Sequence, residues 1–340
     1  MENDSFVLIE EELSKIRNSF KEIDSHIKRM AKSGDYDSLN SLRKRIERLS
    51  IVPPVSHSFT VVLNDLFSKS FKFQRIVNSS LMASMVSSRN RINSKAGGKD
   101  FCAELGCRLP KTYLTNASYS DVRKFDFSVI KNGFVLKPVF GAQSKNVHGL
   151  LQNKSGVVKD VFSGKTFSSI DHALTSIAQN SPSGLKWEVE ELILNSEGDC
   201  SYDVKFYTFY GKVVLVLQVN RWEKRREDVF FDRNGNLVQA KISRYYRSDG
   251  KIVNPLFNER DIELVEKLST EIPFPFCRID FLAGREGLYF GELTFNAGGA
   301  GSFYDEWDKV LGEEFVLAKN RLILDLLNNK EFKTYKKISK

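Results

Sequence analysis

With 340 residues, 41% hydrophobic and 28% charged, the chain has the composition of a globular protein with room for two or three compact units, which excludes a disordered, fibrous or disulfide-stapled chain. Lys and Arg outnumber Asp and Glu by 51 to 43, a charge of +8 that suits anionic ligands; no stacked-aromatic signature or recognition-helix pattern accompanies it, so no nucleic-acid partner is expected. The longest aliphatic run, at 213–217, is far below the roughly 20 residues of a membrane span, and the acidic start Met1-Glu2-Asn3-Asp4-Ser5 lacks the basic and apolar parts of a signal peptide, so a cytoplasmic location is expected.

Leu13, Ile16, Phe20, Ile23, Ile27 and Met30 recur at alternating spacings of three and four, the stripe of an amphipathic helix. Ser33-Gly34-Asp35 interrupts it, and Leu39, Leu42, Ile46 and Leu49 resume the pattern up to Pro53-Pro54, where proline ends a helix. Residues 1–52 are therefore expected to form a helical hairpin, packed on its own domain or serving as the arm of a homodimer. A helical region is expected over 53–110, closing with a helix from 99 that stops at Gly106. From 111 to 328 strand-like runs dominate, at 133–140, 187–194, 204–210, 212–220, 236–243, 276–281 and 288–295, with helices at 172–179, 259–270 and 313–327. Hairpins interspersed with helices predict an α+β fold, followed by a basic tail at 329–340. The four cysteines, Cys102, Cys107, Cys200 and Cys277, form no C-x-x-C pair and read as buried reduced thiols.

Two segments carry chemistry. Lys137 sits in an apolar strand, where an unpaired ammonium costs several kcal/mol, so an anionic partner is required. The loop that follows, with Gly141, Ala142, Ser144 and Lys145, lets backbone N–H groups approach a phosphate closely. Near the C-terminal end, alternation places Arg278 and Asp280 on one face of a strand and Glu292, Thr294 and Asn296 on one face of the next. Paired carboxylates inside a sheet repel each other unless a cation or an arginine neutralises them, which implies Mg²⁺ with phosphate attached; the alternative is an ordinary amphipathic hairpin whose polar face meets water. The run Ser163-Gly164-Lys165-Thr166 resembles the end of a phosphate-binding Walker loop, but Lys159 stands where that motif needs glycine, and a hairpin turn is expected instead.

In order, the chain shows the lysine strand, the small-residue loop, Glu190-Glu191-Leu192-Ile193, Asp203-Val204-Lys205, Arg278-Ile279-Asp280, Gly291-Glu292 and a turn with Gly298, Gly299 and Gly301. Over roughly 95–315 this resembles the ATP-grasp superfamily, in particular its TupA-like branch, associated with teichuronopeptide and capsular polysaccharide synthesis. The resemblance implies an ATP-grasp fold, with ATP between a lid subdomain at about 128–190 and a C-terminal subdomain at about 191–328. It implies that Lys137 holds the α and β phosphates under a lid containing Gly141, Ser144 and Lys145. Glu190, Glu191 and Leu192 would lie beside adenine, Asp203 at the ribose and Lys205 near the phosphates. Asp280 and Glu292 would bind two Mg²⁺ ions, and Arg278 would face the transferred phosphoryl group. The superfamily's usual asparagine is replaced by Thr294, so Thr294 or Asn296 would supply the third metal ligand.

The implied reaction joins a carboxylate to an amine or amino acid through an acyl phosphate, forming an amide with ADP and phosphate. Arg221 opens a basic run with Lys224, Arg225 and Arg226 that would recognise an anionic saccharide or carboxylate donor such as a uronic acid. A kinase acting on a hydroxyl and a non-enzymatic nucleotide-regulated scaffold are the alternatives.

Overall fold

The computed structural model describes residues 92, 94–139, 146–220, 226–238, 242–243, 252, 254–295 and 303–338. The expected hairpin at 1–52 and most of the helical region after it lie outside the described residues.

Helix α1, Lys95–Glu104, opens earlier than the sequence pattern indicates because Ser94 caps it, its side-chain oxygen accepting from the Gly97 N–H. A six-stranded sheet follows, built from β1 (Thr112–Ala117), β2 (Phe134–Pro138), β3 (His148–Gln152), β4 (Val158–Asp160), β5 (Thr166–Phe167) and β6 (Trp187–Glu191), in the order β1-β6-β2-β3-β4-β5. Strict alternation in β2 buries Phe134, Leu136 and Pro138 and turns Val135 and Lys137 to the opposite face. The buried residues cluster with Val122 of α2 (Tyr119–Lys124) and with Leu174 and Ile177 of α3 (Ile170–Gln179). The 163–166 segment is the turn between β4 and β5, with Gly164 at φ +75°, as the missing Walker glycine led us to expect.

The second sheet contains β7 (Tyr202–Thr208), β8 (Val213–Asn220), β9 (Glu227–Phe231), β10 (Cys277–Gly284) and β11 (Gly287–Thr294), in the order β11-β10-β7-β8-β9. Its core joins Phe206, Val216 and Ile279 to Ile262, Val265 and Leu268 of α4 (Glu259–Thr270) and to Leu311, Phe315 and Leu322 of α5 (Asp305–Leu327). A capping box between Asn258 and Asp261 fixes the start of α4. Helix α5 starts well before the expected residue 313, with Asp305, Glu306 and Asp308 in its first turn complementing the helix dipole. Helix α6, Lys333–Ile338, turns back onto α1, where Lys337 meets Glu104 at 2.8 Å.

Every described strand pairing is antiparallel, in keeping with the α+β expectation. The strand expected over 236–243 is not formed by its described residues: Leu237 and Ser243 make only single bridges, to Phe231 and Phe303. The strand lies just upstream as β9, whose acidic start was concealed because Glu227 and Asp228 are buried beside partners, Glu227 accepting from the Ile252 N–H and Asp228 facing Arg226 at 2.9 Å. No helix among the described residues is long and apolar enough to cross a membrane.

The two sheets have separate apolar cores, and α1 connects them. Its Phe101 and Cys102 belong to the core of the second sheet, while Lys95 and Lys99 reach the first. Gly98 permits this close passage: a Cβ there would stand 3.1 Å from the Ile92 carbonyl and 3.6 Å from the Phe290 ring.

Candidate active site

Register on the second sheet builds one half of the site. Lys205, Asp280 and Glu292 are direct cross-strand partners in one row over β7, β10 and β11, and Tyr207, Arg278 and Thr294 form the adjacent row. Cross-strand partners share a face, so these six side chains emerge together. A bulge between Asp280 and Phe281 leaves Gly291 without a partner and pairs Phe281 with Phe290. The bulge lets Phe290 turn to the apolar side while Glu292 stays opposite Asp280. A Cβ on Gly291 would lie 3.1 Å from the Asp280 carbonyl oxygen, so the bulge is fitted to glycine.

Asp280 is 4% exposed and receives three short charge-assisted hydrogen bonds, all at 2.6 Å: Arg278 Nε donates to Oδ1, and Arg278 Nη2 and Lys205 Nζ donate to Oδ2. Burial pushes its carboxyl pKa up, but Arg278 and then Lys205 more than offset this, and the net direction is downward. Lys205 also lies 3.4 Å from Asp203, and Arg278 donates to Thr294 Oγ1 at 3.2 Å. Glu292 differs from Asp280 in being open to solvent, with 58% of its side chain exposed, and it stands 3.8 Å from Arg278. Tyr207 is buried and is the cross-strand partner of Arg278; burial raises its phenol pKa despite the neighbouring charge.

The first sheet and α1 build the other half. Lys137 pairs across the strands with Glu188, lies 3.6 Å from its carboxylate and forms an ion pair with Glu190. Lys99 bonds Glu188 at 2.5 Å and also contacts Glu190, while Lys95 donates to the Pro138 carbonyl at 3.2 Å. Burial pulls the Glu190 carboxyl upward, and Lys137 and Lys99 reverse that to a lowered pKa. Lys95 is shifted down, by burial first and Lys137 second, against the opposing pull of Glu188, Glu190 and Glu292. Glu292 sits on the far sheet, so the Lys95 ammonium lies within the electrostatic reach of both halves.

Sequence reasoning assigned Lys137 a phosphate as its anionic partner; in the structure Glu190 and Glu188 meet it. The structure gathers Lys137 with Glu190, and separately Asp203, Lys205, Arg278, Asp280, Glu292 and Thr294. It leaves Glu191 and Leu192 apart from the lysines: the N–H of Glu191 donates to the Lys111 carbonyl and that of Leu192 to the Gly133 carbonyl. Gly141, Ser144, Lys145, Arg221 and Asn296 lie outside the described residues, as do Gly298, Gly299 and Gly301. Lys95, Lys99, Glu188 and Tyr207 were not singled out from sequence. The four-residue spacing of Lys95 and Lys99 on a helix next to Ser94, and the alternation of Glu188 with Glu190, were the available signals.

No group of three or more His, Cys, Asp or Glu side chains converges among the described residues. The oxygen donors open to a hard cation such as Mg²⁺ are Glu292 and the Thr294 hydroxyl 3.5 Å from it; Asp280, the cross-strand partner of Glu292, would join them only by exchanging bonds it now accepts from Arg278 and Lys205.

The chain matches the sequence profile of the family described as TupA-like ATPgrasp over residues 88–316. No curated protein matches it. Among solved structures, the ATP-grasp ligase PsnB complexed with minimal precursor, Mg and ADP aligns at 14% identity and a TM-score of 0.41, over 68% of this chain and 60% of that one. VanG D-Ala:D-Ser ligase from Enterococcus faecalis aligns at 12% identity and a TM-score of 0.41, over 69% and 63%. A RiPP-associated ATP-grasp ligase from Chryseobacterium gregarium, in complex with ADP and a leader and core peptide, aligns at 18% identity and a TM-score of 0.36, over 72% and 62%. The aligned part thus spans about three fifths of each of these proteins.

Proposed function

This chain belongs to the TupA-like ATP-grasp family, and from that premise we propose that it is an ATP-dependent carboxylate-amine ligase, joining an amine or amino acid to a carboxylate of a cell-surface polysaccharide precursor. The observation that carries the reading is the row Lys205–Asp280–Glu292 with Arg278 beside it on one sheet, together with the lysine cluster around Lys137 on the other. A triphosphate carries more negative charge than two carboxylates, so it competes with Glu188 and Glu190 for Lys137 and Lys95. Asp280 and Glu292, with Thr294 or Asn296, would hold Mg²⁺, which when bound neutralises charge on the transferred phosphoryl group.

Arg278 orients that group, its guanidinium fixed by the two bonds to Asp280 and by the bond to Thr294. Asp203 serves the ribose and Lys205 the phosphates; Glu190, Glu191 and Leu192 flank adenine, and the loop carrying Gly141, Ser144 and Lys145 closes over the nucleotide. Arg221 and its basic neighbours receive the anionic donor. A carboxylate oxygen attacks the γ phosphorus with ADP leaving, and the amine then displaces phosphate from the acyl carbon, losing a proton.

The test is ATP turnover with Mg²⁺ across pairs of amino acids and uronic acid sugars, free or nucleotide-linked. Free phosphate released only when both carboxylate and amine are present supports the ligase; phosphate retained on a hydroxyl of the product replaces it with a kinase.

A further inference from the structure

Helix α5 has two faces, and among the described residues only one is covered. Leu311, Phe315, Ala318 and Leu322 are buried in the core of the second sheet. On the other side Val310, Leu317, Leu324 and Leu327 are 41, 52, 58 and 73% exposed, flanked by Val316 and Ile323. A contiguous aliphatic stripe on a folded domain marks a contact surface. Its spacing is informative as well: positions 310, 313, 317, 320, 324 and 327 alternate by three and four, the 3.5-residue seam of a coiled coil, with Glu313 and Asn320 as its polar members.

The same spacing over six positions recurs at Leu13, Ile16, Phe20, Ile23, Ile27 and Met30, whereas the run Leu39, Leu42, Ile46 and Leu49 has only four. Both seams span 17 residue steps, about 25 Å of helix. We propose that the 13–30 segment docks as a helix on this face of α5 in the same chain. In either helix direction the six positions of the two seams meet, and only two of the six layers, those of Glu313 and Asn320, set a polar residue against an apolar one. Self-pairing of α5 with a second copy fits worse. An antiparallel pair puts Glu313 or Asn320 into four of six layers, and a parallel pair sets Glu313 against its own copy. Tethering favours the same chain too. Helix α6, which follows α5, contacts α1 through Lys337 and Glu104 at 2.8 Å, so the element next to α5 touches the one that the 31–91 tether leads into.

The centre of both seams provides a test that does not depend on direction. In the full-length chain carrying Ile23→Cys and Leu317→Cys, a short bis-maleimide is expected to join positions 23 and 317 within one chain; the four native cysteines are buried and serve as the background in the parent protein. A link formed only between chains, or none, overturns the proposal. A second measurement needs no cross-link. Full-length Leu317→Glu/Leu324→Glu should exchange the amide hydrogens of residues 13–30 about tenfold or more faster than the parent chain. Equal rates in the two proteins would overturn the docking.

Discussion

Asp280 has two duties that different variants separate. It neutralises Arg278 and Lys205, whose side chains are only 14 and 8% exposed, and it is the buried member of the proposed metal pair. Asp280→Asn leaves two buried cations with only the more distant Asp203 and Glu292 as counter-charges, a loss on the order of 3 kcal/mol that urea unfolding would report, together with loss of Mg²⁺-dependent ATP turnover. Glu292→Gln removes the other proposed ligand from an exposed position, so turnover should fall as far while stability changes by no more than about 0.5 kcal/mol. Intact turnover in Glu292→Gln would remove Glu292 from the metal site. Acid should expose the same network. Asp280 and Glu190 have lowered native pKa values, so their stabilisation is present above the ordinary carboxylate value near 4 and disappears as pH falls through the lowered native values. The urea midpoint should therefore drop from pH 5 toward pH 2, and less steeply in Glu190→Gln; identical slopes would show that Glu190 contributes nothing to this dependence.

Strands β10 and β11 show how an element places the site. The bulge at Gly291 keeps Phe290 on the apolar side and Glu292 opposite Asp280, so Gly291→Ala, with its Cβ against the Asp280 carbonyl, should cost about 1 kcal/mol or more and slow turnover by moving Glu292. A crystal structure of that variant with the bulge and the Asp280–Glu292 pairing unchanged would refute this. Much of this hairpin was legible in the sequence because residues 292–296 alternate strictly, placing Glu292 and Thr294 on one face. The bulge itself was not, since only the partner strand reveals which residue is unpaired. Strand β2 was legible as an apolar run between a glycine at each end, and helix α4 as a periodic segment that starts after Asn258. Strand β9 was not, because buried Glu227 and Asp228 read as exposed loop residues until Ile252 and Arg226 are seen beside them. Lys95 and Lys99 join the site through the path of α1 between the sheets, which no local pattern encodes.

At the scale of the molecule, the two sheets have separate cores, the one around Leu136 and Leu174 being smaller than the one around Phe206 and Phe315. A smaller core buries less apolar surface and stabilises less, so the unit at 112–191 should open at lower denaturant than the rest. Polar links between the units run largely through α1, by Lys99 to Glu188 and Glu190 and by Lys95 to Pro138. A nucleotide gripped by Lys137 on one sheet and by Lys205 and Asp203 on the other would add a bridge that only the assembled molecule can make. Ligand at about a hundred times its Kd stabilises the competent state by about 2.7 kcal/mol, and that gain belongs to whichever unit opens first. Urea titration followed by amide exchange should thus show two transitions in the free protein. Adding ADP with Mg²⁺ should raise the midpoint of the 112–191 unit toward the other, and Lys137→Ala should abolish the shift. A single coincident transition without nucleotide would mean that α1 already joins the two cores into one cooperative unit.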